Sequence, residues 1–228
     1  VADTEWTDVI NKAGRQRMLT QKMSKEFLLV AKGVDVTANK AAMAATSTEF
    51  QTALQDLMMG NGITAPPTTM IAEKLLVVKG LWDTFGPLLA DNVNLDPISP
   101  TVLSDVATQS VPILVKMNEA VLAYQAAAGA AAPGAVINVA GRQRMLSQRM
   151  SKEALLVALG VETSDSVTKL TATRDLFASS YAELVLGGGS ENLPGTADAC
   201  ILKQMVVVKN EVNGIWGQFT ASGHSSSH

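Results

Sequence analysis

Histidine and cysteine are almost missing from this sequence. The two histidines, His224 and His228, stand in the terminal segment SGHSSSH, and Cys200 is the single cysteine. A body without histidine excludes Ser-His-Asp and Cys-His catalysis and nearly all zinc sites. One cysteine cannot form an intrachain disulfide or a thiolate metal cluster. We treat residues 223–228 as a flexible tail and leave them out of the fold prediction.

Aromatic residues are also scarce, at 4% of the chain, whereas Ala, Val, Leu and Met are plentiful. This composition suits closely packed helices better than sandwiches of β-branched strands, so we predict an all-α fold. The uncharged stretch 120–141 contains Gln125 and Asn138 and is broken by Ala-Pro-Gly, so it does not read as a transmembrane helix. The start VADTEW is expected equally of a mature secreted form, an excised ectodomain and a cytosolic protein.

One phrase of 25 residues occurs twice, as INKAGRQRMLTQKMSKEFLLVAKGV at 10–34 and INVAGRQRMLSQRMSKEALLVALGV at 137–161. The copies differ at five pairs of positions: Lys12/Val139, Thr20/Ser147, Lys22/Arg149, Phe27/Ala154 and Lys32/Leu159. Later features repeat as well: Phe50, Leu54, Leu57, Gly60, Trp82 and Phe85 correspond to Phe177, Tyr181, Leu184, Gly187, Trp216 and Phe219. The duplication predicts two similar helical units in tandem.

The repeat and the turn residues between its parts predict seven helices. They are 3–33, 37–59 and 68–90 in the first unit, 100–129 as a fourth helix, and 135–160, 164–186 and 197–220 in the second unit. Gly33 and Gly160 are expected as C-terminal caps, and Thr37 and either Ser164 or Ser166 as N-terminal caps. We predict units at 1–130 and 131–222, related by a pseudo-two-fold axis, and the second lacks a clear fourth helix.

A helical wheel of the repeated phrase separates three stripes. The apolar stripe is Leu19, Met23, Phe27 and Val30. The polar stripe is Arg15, Lys22 and Glu26, in which Lys22 and Glu26 have the spacing of an ion pair. The mixed stripe is Ile10, Gly14, Arg17, Gln21, Ser24 and Leu28.

Arginine is concentrated in the repeat, although the net charge of −3 gives no reason to expect a nucleic acid or an anionic membrane as partner. Five of the six arginines lie there: Arg15, Arg17, Arg142, Arg144 and Arg149. Residues two apart on a helix point about 200° away from each other, so Arg15 and Arg17 cannot serve one site. Arg17 follows Gly14 by one turn, and a helical glycine costs about 1 kcal/mol relative to alanine unless close approach requires it.

If the copies pack about a pseudo-two-fold axis, Arg17 and Arg144 approach each other, because equivalent residues meet near such an axis. Two guanidinium groups in a partly buried interface imply an anion between them, and a planar oxyanion suits two planar donors. Glu26, Glu153 or an aspartate of a neighbouring helix could instead neutralise the arginines, leaving a structural or protein-interaction bundle without a small-molecule ligand.

The segments INKAGRQRMLTQKMSK and INVAGRQRMLSQRMSK resemble the signature helix of PilJ-type domains, the N-terminal sensing domains of type IV pili chemotaxis transducers. They also resemble the P-box of nitrate/nitrite sensor kinases. The resemblance implies a periplasmic or extracytoplasmic four-helix bundle that binds nitrate at a dimer axis, through one arginine from each protomer. These arginines correspond to Arg17 and Arg144, and the surrounding residues to Gly14, Gly141, Ile10, Ile137, Met18 and Met145. Tandem copies would build one such site within one chain.

We therefore predict a protein that senses or captures nitrate or nitrite, with no cofactor, no metal and no catalysis. Nucleic-acid binding through GRQRMLSQRMSK is disfavoured because no aromatic stacking platform accompanies it. A copper site at Met18, Met23, Met145 and Met150 is disfavoured because the spacing of five residues points each pair in different directions. A membrane receptor or signalling protein is the expected partner, and further dimerisation stays open.

Overall fold

The structure is a computed structural model that describes residues 3–131, 133–208 and 210. Six α-helices are α1 (Asp3–Ala31), α2 (Val36–Met59), α3 (Thr69–Asn92), α4 (Pro100–Ala128), α5 (Gly134–Ala158) and α6 (Thr163–Leu186). A short 3-10 helix, Gly129–Ala131, follows α4, and helical residues resume at 199–208. The described residues contain no β-strand, only an isolated bridge between Gly188 and Leu193. The all-α prediction is confirmed.

The first helix of each copy ends in the same way, at the glycines predicted as caps. Gly33 has φ 77° and Gly160 has φ 71°, a left-handed conformation that glycine adopts without steric penalty. The Val34 amide donates to the Leu29 carbonyl at 3.0 Å, and the Val161 amide to that of Leu156 at 2.9 Å. These bonds satisfy carbonyls that the helix end would leave free, so the predicted C-caps are confirmed.

The predicted N-caps of the following helices are wrong. The helix α2 begins directly after Asp35, which has φ 38° and no side-chain cap bond, and α6 begins directly after Glu162, which has φ 45°. Thr37, Ser164 and Ser166 therefore lie inside the helices. The left-handed turn connects the helices within a few residues, so no extended residue remains to act as a cap.

Helices α1 to α4 build a bundle around an apolar core. The helix α1 packs against α2 and α4, and α3 packs against α4. The predicted apolar stripe of α1 is buried along its whole length: Leu19, Met23, Phe27 and Val30. On the next helices Phe50 contacts Trp82, with ring centroids 4.6 Å apart. Within this bundle α1 packs against α2 and α4, and a further face of α1 packs against α5.

The two repeated helices, α1 and α5, pack against each other more extensively than any other pair of described helices. Equivalent residues meet along their length: Arg17 bonds to Asn138, Arg144 to Asn11, and Lys32 to Ala158. In this numbering Asn138 is the counterpart of Asn11 and Arg144 that of Arg17, so the contacts are reciprocal. The helices therefore run in parallel about an internal pseudo-two-fold axis.

By compactness the chain divides after Ser179. The unit 1–179 holds α1 to α5 and most of α6. In the unit 180–228, the described residues form the end of α6, a glycine-rich loop and the helical segment at 199–208, where Tyr181 Oη donates to the Met205 carbonyl at 2.7 Å. The last part of the helix predicted at 197–220, with Trp216 and Phe219, lies outside the described residues. No helix among those described is both long and apolar enough to span a membrane.

Candidate functional site

Arg17 lies at the junction of three helices and is 1% exposed. Its Nη1 donates to Asn118 Oδ1 of α4 at 2.5 Å, and its Nη2 donates to the Asn138 carbonyl of α5 at 3.3 Å. Its Nε donates to the Gly14 carbonyl, one turn earlier in α1, at 3.5 Å. All three acceptors are uncharged oxygens, so hydrogen bonds hold the guanidinium in place without neutralising it.

No carboxylate in the described part of the chain forms an ion pair with Arg17. The charges that act on it are positive: burial, and after it the Arg142 and Arg144 guanidiniums, together lower the pKa of Arg17 to about 10. The side chain stays protonated at neutral pH. A buried charge that lacks a counter-ion is unfavourable, so this position favours an anion.

The carboxylates that could have neutralised Arg17 are engaged elsewhere. Glu26 pairs with Lys22 at 2.8 Å, as its spacing predicted, and Glu153 pairs with Arg149 at 2.8 Å. Both glutamates are buried, contrary to the solvated polar stripe expected from the wheel. Each glutamate forms its ion pair with a cation of its own helix. The alternative in which Glu26 or Glu153 neutralises Arg17 and Arg144 therefore finds no support here.

Arg144 lies across the interface between α1 and α5, which we call the seam. Unlike Arg17, it is exposed. Its Nη2 donates to Asn11 Oδ1 at 2.8 Å. The two arginines thus reach across to the equivalent asparagines, but only Arg17 is covered by α4. The symmetry that the repeat predicted holds for the contacts and fails for burial, because α4 packs against α1 and makes few contacts with α5.

The two glycines predicted for the site make room for the guanidinium groups. A Cβ placed at Gly141 would lie 3.6 Å from Arg144 Nη2 and 3.7 Å from Arg17 Nη2. A Cβ at Gly14 would lie 3.3 Å from Arg17 Nη2, closer than most side chains tolerate. Both guanidiniums therefore approach the same point over Gly141, as the two-fold argument requires.

The remaining predicted residues belong to the apolar core or pack against it. Ile10 is buried, and its Cδ1 packs near Gly134 at the start of α5. Ile137 and Met18 are half-buried against the core, and Met145 is buried. Their assignment to the site rests on the motif resemblance.

The structure adds polar groups that the sequence reading missed. Asn138 Nδ2 donates to Gln125 Oε1 at 2.9 Å, whereas Asn138 Oδ1 and the buried Tyr124 hydroxyl have no hydrogen-bond partner among the described residues. One turn beyond Arg17, the fully buried Gln21 leaves both of its amide atoms unpaired within the same described part. Buried polar groups without a partner are rare in proteins, and one of these residues, Asn138, also accepts a hydrogen bond from Arg17 through its backbone carbonyl.

A metal centre finds no support at this seam or elsewhere in the described residues, which contain no group of three or more His, Cys, Asp or Glu side chains suited to a metal ion. The site is one of cationic donors and amides.

The profile of the PilJ family, described as Type IV pili methyl-accepting chemotaxis transducer N-term, matches residues 6–107 and again 126–221. The chain belongs to this family and carries two copies of its domain. The family consists of sensor and signalling domains and is generally non-enzymatic. Among curated proteins, the methyl-accepting chemotaxis protein McpN of Pseudomonas aeruginosa is 38% identical over 85 residues, which cover 37% of this chain and 15% of McpN. No solved structure gives a significant match.

Proposed function

We propose that the chain binds a small planar oxyanion, nitrate or nitrite, between α1 and α5, with Arg17 and Arg144 as the charged donors. One observation carries this proposal: Arg17 is buried, forms no ion pair within the described residues, and approaches the same point as Arg144. An anion there would supply the missing charge. It would also accept N–H bonds from two planar forks, the geometry that guanidinium groups recognise best.

A planar monoanion fits this seam better than phosphate or sulfate. The anion has to leave water to reach Arg17, and the desolvation penalty rises steeply with charge. A tetrahedral dianion would also place oxygens outside the plane of any one guanidinium group. Chloride offers one acceptor atom and cannot serve both forks with parallel bonds.

The biological task we infer is extracytoplasmic sensing in the periplasm. The PilJ family is one of chemotaxis transducer domains, and the relative McpN is named as a methyl-accepting chemotaxis protein. A ligand held between two helices can shift their equilibrium positions if it binds one arrangement better, and a signalling protein or membrane receptor would read that shift. In this proposal 1–130 and 131–222 act as the two halves of one binding unit, in the manner of a P-box dimer.

A bundle that binds no small ligand is the second candidate. It is favoured by the three oxygens, of Asn118, Asn138 and Gly14, that already accept from Arg17. In that case the arginine would only fix the register of α1, α4 and α5.

Isothermal titration and thermal unfolding with nitrate, nitrite, chloride, sulfate and phosphate separate the two candidates. We expect nitrate or nitrite to raise the unfolding midpoint of the parent, by an amount equivalent to about 2.7 kcal/mol at 100 times Kd. Arg17→Ala and Arg144→Ala should lose this response. Arg15→Ala is the matched control, because Arg15 lies two residues away but is half exposed and pairs with Glu49. A parent that responds to none of the anions would rule out the oxyanion proposal.

A further inference from the structure

We propose that Asn118 is an internal competitor of the anion: its carboxamide oxygen holds the edge of Arg17 that the oxyanion takes, and it must leave when the oxyanion binds. This inference rests on the proposed function and assigns to α4 a residue that sets the affinity of the site. Asn118 lies outside both copies of the repeated phrase, 101 residues from Arg17 in the chain.

The bonding of Arg17 identifies Asn118 as the replaceable partner. The other two acceptors are the backbone oxygens of Gly14 and Asn138, which are held by helices α1 and α5. The Asn118 oxygen is the one side-chain acceptor that Arg17 meets among the described residues, at 2.5 Å. A side chain can turn to another rotamer without disturbing a helix, so exchange at Nη1 requires the least rearrangement.

The chemistry of the amide supports the exchange. A carboxamide oxygen is a planar acceptor, as each nitrate oxygen is, but it carries no full charge. The bond from Arg17 to the amide has one charged partner, whereas a bond from Arg17 to nitrate has two and adds the attraction between opposite charges. The amide therefore keeps the buried Nη1 satisfied in the free protein and gives way to a charged acceptor.

Arg144, on the other side of the seam, also bonds to a side-chain amide, but both partners are exposed. Arg144 Nη2 donates to Asn11 Oδ1 at 2.8 Å, so each of the two arginines is held by a side-chain amide oxygen. Asn11 is exposed, and water can replace it at little free-energy cost. Asn118 is only partly exposed and bonds to a buried guanidinium, so its competition with the anion is the stronger of the two.

The test is nitrate titration, by calorimetry, of the parent and of Asn118→Ala and Asn118→Leu. Alanine removes the amide, and leucine removes it while keeping its volume, so that collapse of a small void does not decide the result. We expect both variants to bind nitrate roughly tenfold more tightly, since a hydrogen bond to a charged group no longer has to be broken. Asn92→Ala is the control, because the Asn92 amide donates to the Leu88 carbonyl on α3.

The outcomes separate this inference from the proposed function. If the parent binds nitrate and both variants bind it equally or more weakly, Asn118 does not compete, and the inference is overturned while the site remains. If only the variants bind nitrate, Asn118 does compete for Arg17, but the parent is not a nitrate-binding protein, so the inference stands and the proposed function fails. If neither the parent nor any variant binds nitrate or nitrite, the proposed function fails and this inference fails with it.

Discussion

Arg17 Nη2 lies 3.3 Å from the carbonyl oxygen of Asn138, so the arginine of the first repeated helix donates directly to the backbone of the second. The reciprocal bond joins Arg144 to Asn11. Related PilJ-type domains are expected to bring two such helices together from two chains, and here one chain supplies both. A site at this seam would form when the chain folds, without depending on protein concentration.

Asn118→Asp should increase the stability of the free protein and abolish its response to nitrate. An aspartate would place a carboxylate against Arg17 Nη1 and neutralise a buried charge that has no ion pair in the described chain. We expect a free energy of unfolding higher by about 1–2 kcal/mol, because the gain of a charged hydrogen bond exceeds the desolvation of one carboxylate beside a guanidinium. Urea unfolding with and without nitrate measures both effects. A nitrate response that survives in this variant would place the anion away from Arg17.

The free energy of unfolding should increase as the pH rises from about 8 to 10.5, because of the buried Lys152. This lysine of α5 is 3% exposed and donates to Ser110 Oγ at 3.1 Å. Its pKa is lowered from 10.5 to about 8, chiefly by burial; Glu153 opposes this shift, and Arg149 and Lys169 contribute to it. Between these values the unfolded chain binds more protons than the folded one, so the free energy of unfolding rises with pH, by at most about 1.4 kcal/mol per pH unit.

The variant Lys152→Met tests whether Lys152 causes this rise of the free energy of unfolding with pH. The methionine should remove the rise between pH 8 and 10.5 and leave the variant more stable than the parent at pH 7, since an apolar side chain replaces a buried charge. Urea unfolding at pH 7, 8, 9 and 10 gives both results. Lys40→Met on α2 serves as the comparison and should keep the slope of the parent. An unchanged slope in Lys152→Met would mean that Lys152 is not the titrating group.

The sequence predicted the helices and their partners well because those depend on local or repeated patterns. The glycines Gly33 and Gly160 terminate their helices through backbone conformation alone, and the duplication implies that equivalent arginines meet. The repeated Ile-Asn pair also contained a usable signal, since Asn11 and Asn138 receive the arginines. Asn118 could not be found in this way, because nothing in its neighbourhood on α4 refers to residues 101 positions earlier.

A helical wheel also could not predict which individual charged side chains are buried. Glu26 lies on the polar stripe and is nevertheless 3% exposed, because α1 is covered on nearly all sides once α5 packs against it. Arg17 and Arg144 are equivalent in sequence and differ in exposure because α4 packs against α1 and makes few contacts with α5. Burial of this kind depends on how the two copies pack together, which the pattern within either copy cannot supply.

Replacing the arginines by lysine should affect the two halves of the site unequally. Arg17→Lys loses the planar fork in a buried position, so we expect nitrate affinity to fall by about 100-fold, whereas Arg144→Lys keeps the charge at an exposed position and should lose less than about tenfold. Raising the ionic strength from 10 to 150 mM should weaken the contribution of Arg144 more than that of Arg17, because screening acts mainly on exposed charges. Calorimetric titrations at both salt concentrations test this order. Equal losses in both variants at both concentrations would contradict the asymmetric site.

Gly141→Ala should separate stability from binding. Alanine is favoured over glycine inside a helix by about 1 kcal/mol, and the new Cβ would meet Arg144 Nη2 and Arg17 Nη2 at 3.6 and 3.7 Å, an ordinary contact distance. The free protein should therefore be as stable as the parent or more so. The methyl group would nevertheless stand at the point that both guanidiniums approach, and we expect it to weaken nitrate binding by at least about tenfold, since the anion loses hydrogen bonds with charged donors.

Gly80→Ala is the matched control, because a Cβ there meets nothing within 4 Å. It should gain the same helical stability and keep the affinity of the parent. If Gly141→Ala binds nitrate as tightly as Gly80→Ala does, the anion does not lie over Gly141, and the two arginines meet there without holding a ligand between them.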